Sequence, residues 1–149
     1  MTEKELYSYI KAKERCERIE QEINVLYTRI HSPRSVCYGM PTSSKAPGEW
    51  LANAESRLED LRKLYRKVYN EQSERYMMLL DVSAELEREI EEELFWLLYH
   101  DNKSIEEARR KINYSMGSMY RLRKSILKQA KGLKVYRDDK GRLHIEKEG

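Results

Sequence analysis

Near the C-terminal end, Gly117, Arg121, Lys124 and Lys128 recur at intervals of four, three and four. That is the repeat of one helical face. Ser118, Arg123 and Ser125 flank it, and Met119, Leu122 and Ile126 supply a separate apolar face. An arginine near the start of such a helix can donate both arms of its fork to guanine O6 and N7. Lysines further along suit phosphates, and Gly117 leaves room for a close backbone approach. Just upstream, Arg109, Arg110 and Lys111 form a second basic group suited to a phosphate backbone. The candidate DNA-contacting set is therefore Arg109, Arg110, Lys111, Ser115, Gly117, Ser118, Arg121, Arg123, Lys124 and Lys128.

Other chemistry finds no support in residue spacing. His31, His100 and His144 are scattered, and Cys16 and Cys37 have no Cys or His at metal-ligand spacing. There is no Gly-rich phosphate loop and no histidine-carboxylate metal motif. Asp81, Glu85, Glu87, Glu89, Glu91, Glu92 and Glu93 crowd one stretch, but acid-base work needs carboxylates that converge in a pocket. A non-enzymatic protein with no metal and no cofactor is expected. The carboxylates read as a solvated face, or as a device that keeps nucleic acid off that side.

The basic face needs helices to position it. Ser104 followed three residues later by Glu107 is a capping box. Ile105, Ala108 and Ile112 share one side of the helix it starts. Asn113 suits a left-handed helix end, and Ser115 caps a second helix from Met116 to about Ala130. Two short helices joined by a turn of about three residues form a helix-turn-helix. In that motif the second helix enters the major groove and the first crosses the backbone.

The elements upstream read as a platform. Tyr9, Ala12, Cys16, Ile19, Ile23, Leu26 and Ile30 place a heptad seam on one helix over 3–30. Residues 31–48, with three prolines and the run Gly39-Met40-Pro41, form a loop. Leu51, Ala54, Leu58, Leu61, Tyr65 and Val68 mark a second long helix, from Glu49 to about Met78 or Leu80. The two stripes can pair with each other as an antiparallel hairpin, the favoured solution because they match in length, or across a homodimer through the long helices. A third helix is expected over 83–100, with Ser83 as its cap and Leu86, Ile90, Leu94 and Leu97 buried. In the tail, two alternating stretches flank Asp138-Asp139-Lys140-Gly141, the pattern of a β-hairpin; a frayed tail is the alternative. The expected fold is all-α, divided into a helical hairpin (1–80), a helix-turn-helix domain (81–132) and a tail (133–149).

Composition agrees with this division. The 47 residues from Lys103 to Gly149 hold 14 basic and 6 acidic side chains, a net +8, leaving 15 and 20, a net −5, for the first 102. A basic end on an acidic body faces a polyanion. Two isolated cysteines suit a reducing cytoplasm. No signal-like apolar stretch follows the N-terminus, and Phe95–Tyr99 is too short to span a bilayer, so no membrane partner is expected.

The run Ser104-Ile105-Glu106-Glu107-Ala108 through Ser115 to Met119-Tyr120-Arg121 resembles the region-4-like domain of bacterial sigma factors. Leu97-Leu98-Tyr99 before it and Ile126-Leu127 after it fit the same pattern. The order of long helix, Gly39-Met40-Pro41 loop, long helix and module resembles small phage and prophage proteins of Gram-positive bacteria. It is similar to the ArpU- and RinA-type regulators of late phage transcription. The resemblance implies a regulator of double-stranded DNA in the bacterial cytoplasm, with RNA polymerase as a further partner. Some positions depart from the pattern. Arg109 stands where a small alanine is usual, Ala108 where a larger aliphatic is, Leu98 where a basic residue is often found, and Asn113 where the turn commonly has glycine. Two other classes share these features: an adaptor that binds polymerase or a packaging component, and a small terminase subunit, in which the helix-turn-helix usually comes first.

Overall fold

A computed structural model describes residues 1–32 and 47–148 of the chain. The Gly39-Met40-Pro41 motif, Cys37 and most of the expected loop lie outside the described residues. Among the described residues six helices come first: α1 Glu3–Leu6, α2 Ser8–His31, α3 Pro47–Ala84, α4 Glu89–Tyr99, α5 Ile105–Ile112 and α6 Met116–Lys131. Strands β1 Leu133–Arg137 and β2 Leu143–Lys147 follow as a two-stranded antiparallel sheet. The protein is mostly helical, and its tail takes the β-hairpin form and not the frayed one.

Three boundaries differ from the expected ones, each for a local or packing reason. The first helix is in two pieces. Thr2 caps α1 by accepting from the Glu5 amide, Tyr7 ends it, and α2 restarts at Ser8, whose hydroxyl donates to the Glu5 carbonyl at 2.5 Å. The long second helix runs on to Ala84. Met78, Leu79 and Val82 are almost fully buried, so the apolar stripe continues past Leu80 and the helix continues with it. Ser83 therefore lies in the last turn of α3, donating to the Leu80 carbonyl at 2.9 Å, and does not cap the next helix. The next helix begins at Glu89 after Arg88, which makes no side-chain cap. Tertiary burial overrode a good capping residue.

Residues 1–13 and 71–149 form one compact unit, and residues 14–70 form another. In the first, Leu6 and Ile10 join Met78, Leu79 and Val82 of α3, Leu94, Phe95 and Tyr99 of α4, and Met119, Leu122 and Ile126 of α6 in a single core. The terminal amino group donates to the Leu133 carbonyl at 2.5 Å. His100, at the end of α4, is enclosed by the rings of Tyr9, Tyr76 and Trp96 at 5.1, 5.7 and 5.4 Å. Val135 pairs with Ile145 and Arg137 with Leu143 across the β-hairpin. Its apolar face packs on the same core, and Arg137–Glu74 (3.1 Å) and Lys147–Glu85 (2.9 Å) clamp its two strands to the end of α3 and the turn beyond it. A two-stranded hairpin is marginal alone and needs such a surface.

The second unit is built from the rest of α2 and α3. Cys16 and Ile19 cluster with Val68, and Ile23 and Tyr65 pack against them. Further along, Leu26 shares a groove with Leu61, and Ile30 shares one with Leu58.

Candidate nucleic-acid interface

The positioning of the basic face starts at Ser104. Its hydroxyl accepts from the Glu107 amide at 3.2 Å, and the Ser104 amide donates back to the Glu107 carboxylate at 3.5 Å. This satisfies two amides that a helix start leaves without partners. α5 ends at Asn113, with φ 62° and ψ 43°, whose amide donates to the Arg109 carbonyl at 2.7 Å. Asparagine tolerates this left-handed geometry better than other side chains do, so the turn closes without glycine. Two residues later Ser115, in extended geometry, accepts from the Ser118 amide at 3.2 Å and starts α6.

Packing then selects the outward face. Ala108, Met119, Ile126 and Ala130 are fully buried and Leu122 nearly so, all in the core that contains Leu94, Phe95 and Leu98 of α4. The small Ala108 fits here under full burial. A polar bridge adds to the packing. Glu91, also fully buried, accepts from the Ser125 hydroxyl at 2.5 Å and from the Gln129 amide at 2.9 Å, while Gln129 accepts from the Glu87 backbone at 3.1 Å. These bonds tie the far half of α6 to the start of α4.

The expected site residues divide into three groups. Gly117, Arg121, Lys124 and Lys128 are all exposed, on one side of α6, and Ser115 and Ser118 lie at its start. Arg121 reaches back to the Ser118 hydroxyl at 3.3 Å. Arg109, Arg110 and Lys111 are exposed on α5, and the Arg109 Nε donates to the Tyr114 carbonyl at 3.0 Å, bracing the turn. Arg123 stands apart. It is half-buried and pairs with Glu3 of α1 at 2.6 Å, beside Tyr99. The Glu3 hydrogen bond raises the guanidinium pKa further. Burial, reinforced by the Glu3 charge, pushes the Tyr99 hydroxyl well above the usual phenol range, with Arg123 opposing. Ser125 is likewise turned inward, to Glu91.

The inward turn of Arg123 had a signal. It lies four residues after Met119 and three before Ile126, inside the buried stripe. Its partner Glu3 is 120 residues away and carries no such mark. Electrostatically α6 is one-sided: it holds five basic residues and no acidic one. A Cβ built on Gly117 would meet nothing within 4 Å. No packing demand therefore explains a glycine near the start of this helix, where it costs about 0.5–1 kcal/mol relative to alanine.

Comparison with protein-family models, curated proteins and solved structures finds no match to the chain. Among the described residues no three His, Cys, Asp or Glu side chains gather to hold a metal ion, and no helix is long and apolar enough to cross a membrane.

Proposed function

We propose that the chain is a transcription regulator that binds double-stranded DNA, with α5 and α6 used as a helix-turn-helix of the sigma region-4-like kind. On this reading α6 enters the major groove. Arg121 and the residues at its start face base edges, and Lys124 and Lys128 meet phosphates. Arg109, Arg110 and Lys111 steady the flanking backbone. Arg123 belongs to the fold and not to the contact surface. The observation that carries the reading is the single sign of charge on α6: every charged residue on it is basic, and its apolar stripe is spent on the core. The likeness to phage and prophage regulators suggests late phage transcription in the bacterial cytoplasm, with α2 and α3 paired as an antiparallel helical hairpin.

An electrophoretic shift assay with duplex fragments tests it. A saturable shift is expected, strongest at low ionic strength. Arg121→Ala should relax base preference, whereas Lys128→Ala should weaken binding to all sequences and flatten the salt dependence. A chain that shifts no duplex even at about 50 mM salt ends this reading.

A second reading, a protein-interaction adaptor, draws on residues 14–70. There Val25, Leu51 and Leu64 are exposed, and a groove of about 480 Å³ is lined by Val25, Leu26 and Leu61 together with polar and charged side chains. RNA polymerase, a packaging component or a second copy of the chain would be its partner. Retention of polymerase by a variant whose α6 basic face is neutralised would favour it.

A further inference from the structure

Arg88 lies in the most acidic stretch of the chain, between Glu87 and Glu89, yet it pairs with neither. Its guanidinium has no ion pair or hydrogen bond among the described residues. It lines instead a cavity of about 250 Å³ with Tyr114, Ser118, Arg121, Leu122 and Ser125. Two arginines thus line one space, and no acidic residue lines it. Glu91 lies behind Ser125, with one carboxylate oxygen held by Ser125 and Gln129. Like charges lining one space, with the nearest carboxylate turned to Ser125 and Gln129, mark a place for an anion.

The hydrogen-bond inventory points the same way. The Ser118 hydroxyl receives a bond from Ser115 at 2.9 Å and one from Arg121 at 3.3 Å. Both incoming bonds use its lone pairs, so its own hydrogen is left to donate outward. The Ser125 hydroxyl is committed both ways, donating to Glu91 and accepting from Gln129 at 3.1 Å. The cavity is therefore lined by two arginines and a hydroxyl donor, together with the apolar Leu122. Pockets for whole small molecules run from about 300 to 1,000 Å³. This one suits a single tetrahedral oxyanion better than a nucleotide.

We propose that this cavity seats one phosphodiester of the DNA backbone, with Arg88 as an anchor contributed by the start of α4 from outside the two helices of the motif. The inference rests on the DNA-binding reading and extends it. The anchor would fix the register of α6 in the groove without reading sequence.

The test uses the full chain and mixed-sequence duplex DNA, with affinity measured across a range of salt concentrations for the wild type, Arg88→Gln and Arg88→Lys. Arg88 is exposed, and circular dichroism melts will show that the variants fold. One phosphate contact contributes about 0.9 to the slope of log affinity against log salt. Arg88→Gln should lose about that much on every duplex, and Arg88→Lys should retain most of it. An unchanged slope in Arg88→Gln, with the wild type binding normally, overturns the anchor and leaves the DNA reading standing. A wild-type chain that binds no duplex overturns both. Saturable binding of inorganic phosphate that Arg88→Gln abolishes, in a chain that binds no duplex, assigns the cavity to a free anion and equally overturns the DNA phosphate as its occupant.

Discussion

Gly117 and Tyr99 show at the scale of single residues how side chains are divided between folding and binding. Nothing in the protein fills the space beside Gly117. Gly117→Ala should therefore stabilise the fold by about 0.5–1 kcal/mol. It should also weaken DNA binding, if the bare backbone is where the duplex comes close. A denaturant melt and a binding titration on the same sample separate the two effects, and a stabilised variant with undiminished affinity would remove the glycine from the interface. Tyr99 serves the fold. Its hydroxyl is buried, lies beside Arg123 and makes no well-formed hydrogen bond. A group whose pKa is raised by folding stabilises fully below its unfolded value, here 10.0, and loses that contribution as pH rises. Melting temperature should thus fall from about pH 10 upward. Tyr99→Phe should change stability by less than about 1 kcal/mol at neutral pH, because the lost hydroxyl had no good partner, and should flatten the alkaline decline. Arg123 illustrates the limit of reading a helical face by residue type. Its charge suggested a DNA contact, but its place within the buried stripe already directed it toward the core.

At the scale of elements, local chemistry accounts for most boundaries. The serine caps and the left-handed Asn113 that set α5 and α6 stand where residue preferences put them, because caps act over three or four residues. Ser83 was the exception: its capping preference, worth about 1 kcal/mol, lost to the burial of Met78, Leu79 and Val82. The tip of the β-hairpin is also set locally. The Asp138 carboxylate accepts from the amides of Lys140 and Arg142 at 2.9 and 2.8 Å and lies 2.7 Å from His144 Nε2. These contacts, His144 first, hold its pKa below 3.8. A carboxylate with a depressed pKa stabilises above its unfolded value and loses that contribution as pH falls. The tip should loosen as acid takes the pH below that value, seen as collapse of the dispersed amide shifts of Lys140 and Arg142. Asp138→Asn should blunt this acid response, and a tip that titrates identically in both would deny the carboxylate its role.

On the scale of the whole molecule, the N-terminal residues are part of the unit that holds the basic face. Leu6 is fully buried with residues of α3, α4 and α6, and Glu3 holds Arg123. Leu6→Ala should cost about 2–5 kcal/mol, a large fraction of the 5–15 kcal/mol that usually stabilises a domain. Urea denaturation measures it. A cost below about 1 kcal/mol, with no loss of DNA affinity, would mean that α5 and α6 stand without the N-terminus. The compact units cut across chain order, joining residues 1–13 to 71–149, so no boundary drawn along the sequence alone describes them.

From the sequence by itself came the helical character, the two caps, the turn residue and the basic stripe of α6, while the tail was left between a β-hairpin and a frayed end. All of these depend on interactions within a few residues, and periodicity and residue preference record such interactions directly. Only the tertiary structure decided that Arg123 turns inward to Glu3, that Glu91 is buried against Ser125 and Gln129, and that Arg88 meets Arg121 across a cavity. These pairings join residues 33 to 120 positions apart. Their existence depends on how faces of several helices are brought together by the shared apolar core. A pattern of residue types along one helix specifies that it has a buried face, but not which distant side chain will be waiting there.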